Sequence, residues 1–189
     1  MRRAFGRTIV KLAEHDPRIV LLTGDVLQDM DEYIARFPSR FFNLGLTEQS
    51  MISIAAGMAM EGVRPVVYSI TPFLLERAFE QVKIDIDEQN LPVMLIGYAS
   101  YPTHGPTHRP LNAEGLVGLL KNTIGYFPRS QAETEQFMLE AYQTKKPSFI
   151  RYSRTCRRNS AFSETSSAKM SEAPRRASSA LDTPSSSEI

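Results

Sequence analysis

The chain of 189 residues has one cysteine and no tryptophan, and its lysines and arginines (22) almost cancel its aspartates and glutamates (21), for a formal charge of +1. Each shortage removes a class of explanation. The lone thiol, Cys156, can close no internal disulfide and has no companions at metal-ligand spacing, so a reducing, cytoplasmic setting is expected. A charge near zero supplies no field for nucleic acid or an anionic membrane surface, and neither partner is expected. No apolar run approaches the ~20 residues that span a bilayer, and Met1-Arg2-Arg3-Ala4-Phe5-Gly6-Arg7 is too charged for a secretory leader. No strand-like segment runs into a glycine-rich phosphate loop, so a stand-alone nucleotide-binding domain has only fold analogy behind it.

An apolar fraction of 42% is enough to cover one core. Composition changes near Arg154. Residues 1–154 are expected to form one domain, and residues 155–189, rich in Ser, Arg, Ala, Pro and Glu, a disordered tail. In the tail only Phe162, Met170, Leu181 and Ile189 could anchor a core, too few to offset the entropy of ordering it. Arg157-Arg158-Asn159-Ser160 and Arg175-Arg176-Ala177-Ser178 are either basophilic kinase patterns or chance in such a composition.

Periodicity organises the first part. Phe5, Ile9, Leu12 and Ala13 share one face of a helix, Ile19 to Leu22 reads as a strand, Asp29 to Phe37 holds a short helix, and Phe41 to Leu44 is a short strand. Thr47 can cap a helix running to Met60, whose Ser53, Ala55, Ala56, Gly57 and Ala59 suit close packing against another backbone. Pro65 to Ile70 is a strand, Pro72 opens a helix to about Asp87, and Pro92 to Gly97 is a strand. A loop rich in Pro, Gly and His from Tyr98 to Pro110 leads to a helix at Ala113 to Leu120, then Thr123 to Phe127, a helix at Gln131 to Thr144 and a strand at Ser148 to Tyr152. Near-continuously apolar strands alternating with helices predict an α/β fold, a parallel sheet with helices on both faces in three layers. Ligands of such sheets bind beyond the carboxyl ends of the strands, where Asp25, Glu48, Phe73, His104 and His108 fall.

The chemistry these residues could carry is of two kinds. A glutamate in a first helical turn can simply favour the helix dipole, or, held away from water, it can serve as a general acid or base with a tuned pKa. A loop histidine can be mere surface, or can donate, accept or carry a proton near neutral pH. An aromatic at a helix start, such as Phe73 with Leu74 as its neighbouring alternative, is ordinarily core, though its π-face is available for stacking.

Gly45-Leu46-Thr47-Glu48-Gln49-Ser50-Met51, continuing into Ile54-Ala55-Ala56-Gly57-Met58-Ala59, resembles the helix-entry motif of transketolases, deoxyxylulose-phosphate synthases and related ketoacid dehydrogenases. Gly105-Pro106-Thr107-His108 resembles the Gly-Pro-Thr-His loop of transketolases, Gly24-Asp25-Val26 resembles their Ala-Asp-Leu element, and Pro72-Phe73-Leu74-Leu75-Glu76-Arg77-Ala78-Phe79-Glu80-Gln81 resembles their aromatic block. The resemblance implies a pyrimidine-binding domain for thiamine diphosphate. Glu48 would bond the cofactor's aminopyrimidine, Phe73 would stack on it, and Asp25 would lie near it across a subunit interface. Arg77 would face the cofactor site or a dimer contact. His108 would act in catalysis on the substrate carbonyl, His104 would partly replace a His-Asp pair that the Tyr98 to His104 stretch lacks, and Arg2 and Arg154 would clasp substrate phosphate, a task suited to guanidinium.

The resemblance covers about Met1 to Arg154. It includes no Gly-Asp-Gly segment with a downstream asparagine, the family's site for Mg²⁺ and diphosphate, so this chain is expected to hold no metal itself. The expectation is therefore a transketolase-like transferase subunit that moves a two-carbon ketol unit from a sugar phosphate or ketoacid. It would act only with a partner subunit carrying the diphosphate-binding domain and the Mg²⁺, as a two-fold dimer or a heterotetramer. The alternative is a truncated, non-catalytic interaction protein that keeps the fold.

Overall fold

The structure, a computed structural model, describes residues 2–98 and 104–152, without the side chain of Arg2. The expected tail, Arg154 and residues 99–103 of the histidine-containing loop lie outside the described residues. Six strands, β1 (Ile19–Thr23), β2 (Phe41–Asn43), β3 (Arg64–Ile70), β4 (Met94–Tyr98), β5 (Ile124–Tyr126) and β6 (Ser148–Tyr152), form one sheet in the order β2-β1-β3-β4-β6-β5. Every pairing is parallel. The expected three-layer α/β architecture is what forms.

Alternation along the strands sorts the side chains into two cores. Val66, Tyr68 and Ile70 of β3 and Met94, Ile96 and Tyr98 of β4 face a cluster with Phe5, Ile9, Leu12 and Ala13 of α1 (Arg2–His15) and Met138 and Ala141 of α6 (Gln131–Thr144). The opposite cluster joins Val67 and Leu95 to Met51, Ile52, Ala55, Ala56 and Ala59 of α3 (Glu48–Met60) and to Leu74, Leu75, Ala78, Val82 and Ile86. All seven residues of β3 are buried, as a central strand covered on both faces requires. Two short helices, α2 (Asp31–Arg36) and α5 (Ala113–Val117), complete the layers.

The helix expected from Pro72 to Asp87 takes an unusual form. Pro72–Arg77 and Val82–Asp87 are wound as wide π turns around a short α segment, α4 (Phe79–Gln81). Its core-facing residues Leu74, Ala78, Val82 and Ile86 recur every fourth position, a spacing that outruns the ~3.6 residues of an α turn. Wider turns keep that stripe on the sheet, and π segments of this kind gather at functional sites.

Two finer expectations are corrected. Thr47 sits at the N-cap position of α3, but its hydroxyl donates to the Leu44 carbonyl at 2.9 Å and makes no side-chain cap. Of the small residues of α3, Ala55, Ala56 and Ala59 pack into the core, whereas Ser53 and Gly57 lie on its exposed side. Gly97 in β4 is small for a reason, since a Cβ there would stand 2.8 Å from both the Phe149 ring and the Thr71 hydroxyl.

Candidate functional site

From β1 the chain crosses to β2 on one flank and, after α3, to β3 on the other, so a crevice opens beyond the carboxyl ends of β1 and β3. There lies a cleft of about 210 Å³ lined by Val26, Gln28, Ile70, Phe73, His104 and His108. Phe73 is half-buried and turned to the cleft, while Leu74 is fully buried in the core. Of the two neighbours, it is Phe73 that faces the cleft.

Glu48 opens α3 with its side chain 0% exposed. Its Oε2 accepts a hydrogen bond from Arg77 Nη1 at 3.0 Å, and its Oε1 has no partner among the described residues. A carboxylate serving only the helix dipole would sit at the surface near free N–H groups. This one is enclosed, with one oxygen uncommitted. Gly24 makes the enclosure possible, because a Cβ there would lie 3.0 Å from the Gly45 carbonyl and 3.4 Å from Glu48 Oε1.

Contacts continue from Glu48 toward the cleft. The Arg77 guanidinium carbon lies 3.9 Å from the Phe73 ring centroid, within cation–π range. Phe73 in turn meets His108 edge to face at 4.9 Å, and the His104 ring stands 5.6 Å from that of His108. Thr107 Oγ1 lies 3.1 Å from His108 Nδ1, which orients the imidazole of the short turn Pro106–His108. The structure thus brings Glu48, Arg77, Phe73, His108 and His104 into one continuous group.

Asp25 stands apart from that chain of contacts. It is exposed, with φ of 65°, and Asn43 at the end of β2 holds it: the Asn43 side-chain oxygen accepts from the Asp25 and Gly45 N–H groups, each at 3.1 Å. Arg2 begins α1, and neither its side chain nor Arg154 is described. Gln28, Asn43 and the pairing of Arg77 with Glu48 escape sequence reasoning. The only signal for Asn43 is its place at a strand end, and nothing local announces a contact between residues 29 apart. Among the described residues no group of three His, Cys, Asp or Glu side chains could hold a metal ion, and no helix is long and apolar enough to cross a membrane.

Comparison with known families decides the kinship. The family described as "Transketolase, pyrimidine binding domain" matches residues 1–158. The chain belongs to the transketolase pyrimidine-binding domain family. Its curated relatives include 1-deoxy-D-xylulose-5-phosphate synthases from Syntrophus aciditrophicus (strain SB), 35% identical over 156 residues, and Aquifex aeolicus (strain VF5), 35% identical over 159 residues. The first alignment covers 80% of this chain and 24% of the relative, the second 79% and 24%, so the chain spans about a quarter of the length of these proteins.

A solved "Split gene transketolase, inactive beta4 tetramer" superposes with a TM-score of 0.74 at 29% identity, covering 82% of this chain and 51% of that one. The transketolase of Campylobacter jejuni superposes with a TM-score of 0.73 at 18% identity over 82% of this chain and 25% of that one, a likeness of fold. The family is thiamine diphosphate-dependent, and the residues present fit the pyrimidine end of that cofactor: an enclosed carboxylate with an uncommitted oxygen, an aromatic face and an adjoining cleft.

Proposed function

We propose that this chain is the pyrimidine-domain subunit of a thiamine diphosphate-dependent, transketolase-like transferase that moves a two-carbon ketol unit, and that it acts with a partner polypeptide carrying the diphosphate-binding domain and its Mg²⁺. The observation carrying the proposal is Glu48 Oε1, a carboxylate oxygen buried without a partner among the described residues, on a side chain linked through Arg77 to the Phe73 ring that lines the cleft. Leaving such an atom unpaired costs free energy that a bound donor would recover. When bound, the cofactor would supply the carbon nucleophile. Glu48 would hold a proton against the pyrimidine nitrogen in a pocket where water does not compete, and Phe73 would orient that ring by its face. His108, aimed at the cleft, would hydrogen-bond the substrate carbonyl as charge develops on its oxygen. His104 would contact the hydroxyls of a sugar phosphate or the chain of a ketoacid, with Asp25 near the subunit boundary and Arg2 and Arg154 toward substrate phosphate.

The partner requirement rests on chemistry. A diphosphate calls for a metal or clustered cations, and the described residues include no such cluster around the cleft. The split-gene transketolase, solved as an inactive beta4 tetramer, is in keeping with it. A two-fold dimer or heterotetramer follows as the working assembly.

The test is ketol transfer by this chain co-purified with a candidate diphosphate-binding subunit. Activity should require both chains, and Glu48→Ala should lower turnover by roughly 10²–10⁴-fold while circular dichroism stays unchanged. Full activity of this chain alone would overturn the partner requirement, and an active Glu48→Ala pair would overturn the role of Glu48.

A further inference from the structure

Arg77 makes, within its own chain, the two contacts that a planar nitrogen heterocycle would make in this pocket. Its guanidinium lies 3.9 Å from the centroid of the Phe73 ring and donates to Glu48 Oε2 at 3.0 Å. Guanidinium and aminopyrimidine share the relevant chemistry: both are flat, both carry in-plane N–H donors, and both stack on a phenyl face. A carboxylate enclosed to 0% exposure also needs a compensating charge while the pocket lacks a ligand, since a lone buried anion is strongly destabilising. Arg77 provides that charge from a side chain that is itself 37% exposed and ends the wide turn Pro72–Arg77, so it can swing outward without disturbing the core.

We propose that Arg77 is an internal placeholder for the aminopyrimidine ring, covering Phe73 and neutralising Glu48 until the ring enters and displaces it. The proposal rests on the cofactor reading above and adds to it a competition within this chain. As the guanidinium leaves, Glu48 would take up one proton from solvent and share it with the pyrimidine nitrogen, so no uncompensated buried anion is left. Bound affinity would be lowered by whatever stability the placeholder contact contributes.

The experiment uses the full-length chain, labelled for NMR at arginine side chains, with 4-amino-5-hydroxymethyl-2-methylpyrimidine as the probe. In the free chain the Arg77 side-chain protons should be shifted upfield by the Phe73 ring, and Phe73→Leu should abolish that shift. On titration the shift should disappear in step with probe binding. Arg77→Gln should bind the probe about fivefold more tightly, as loss of a competing contact of this class predicts. Arg77→Lys, which keeps the charge but cannot lie flat on the ring, should fall between the two and covers the case in which the glutamine variant folds poorly.

Probe binding that leaves the Arg77 resonances unmoved, or that weakens in Arg77→Gln, would overturn the placeholder while keeping the pyrimidine site. Absence of probe binding to wild type and both variants at millimolar concentration would overturn the pyrimidine reading and the placeholder with it.

Discussion

At the residue scale, the character of the site comes from what surrounds one carboxylate. Glu48 is enclosed because Gly24 has no side chain, and a methyl group there would press on the Gly45 carbonyl at 3.0 Å and crowd Glu48 Oε1 at 3.4 Å. Gly24→Ala should therefore shift the start of α3. We expect a stability loss of about 1 kcal/mol from strain of this size, and a loss of pyrimidine affinity of about tenfold or more because the carboxylate is misplaced. Thermal melting read beside ligand titration separates the two effects, and equal affinity in the variant would show that the glycine has no role in the site. Glu48 and His108 stand out in the sequence because each sits in a run of residues resembling the family, and the structure places both in one group of contacts. Sequence favours Phe73 and leaves Leu74 as an alternative, and only the structure, by the widened turn, shows that Phe73 faces the cleft while Leu74 is buried in the core.

At the element scale, Asp87 ties the segment behind the site to the strand edge. Its carboxylate accepts from the N–H groups of Lys121, Asn122 and Thr123 and from the Thr123 hydroxyl, at 2.7–2.9 Å. Burial works to raise its pKa, yet those hydrogen bonds prevail and hold it below the ordinary aspartate value. Asp87→Ala leaves three backbone donors without their acceptor, and should cost about 3 kcal/mol in denaturant unfolding, with Val82–Asp87 and β5 loosening together in hydrogen exchange. A cost under about 0.5 kcal/mol, the usual size for a surface change, would mean that water replaces the carboxylate. The elements themselves were legible from periodicity: α6 and β6 fall at the expected residues, and α1 and β1 close to them. The π turns were not, because a four-residue apolar spacing reads as an ordinary helix until packing on the sheet keeps that stripe in contact.

At the scale of the whole molecule, two buried carboxylates give the fold its acid sensitivity. The Arg18 side chain, assisted by the Arg18 N–H and the Tyr142 hydroxyl, lowers Asp16 from 3.8 to about 2, and Asp87 is lowered as well. A group whose folded pKa is depressed contributes stability that is fully present above its unfolded value and lost as pH falls through its folded one. Stability should thus be level above about pH 5 and fall between about pH 4 and 2, and Asp16→Asn should flatten part of that slope. An unchanged slope in the variant would remove Asp16 from the account.

The amino-acid order by itself determined the alternation of strand and helix, the α/β class and the motifs at the strand ends, because hydrophobic period and turn chemistry are local properties. Only the tertiary structure decided that β1 and β3 lie side by side, opening a crevice there, and that Arg77 pairs with Glu48. Those facts depend on which distant segments share a surface, and pairings between remote residues are set by the packing of the whole chain.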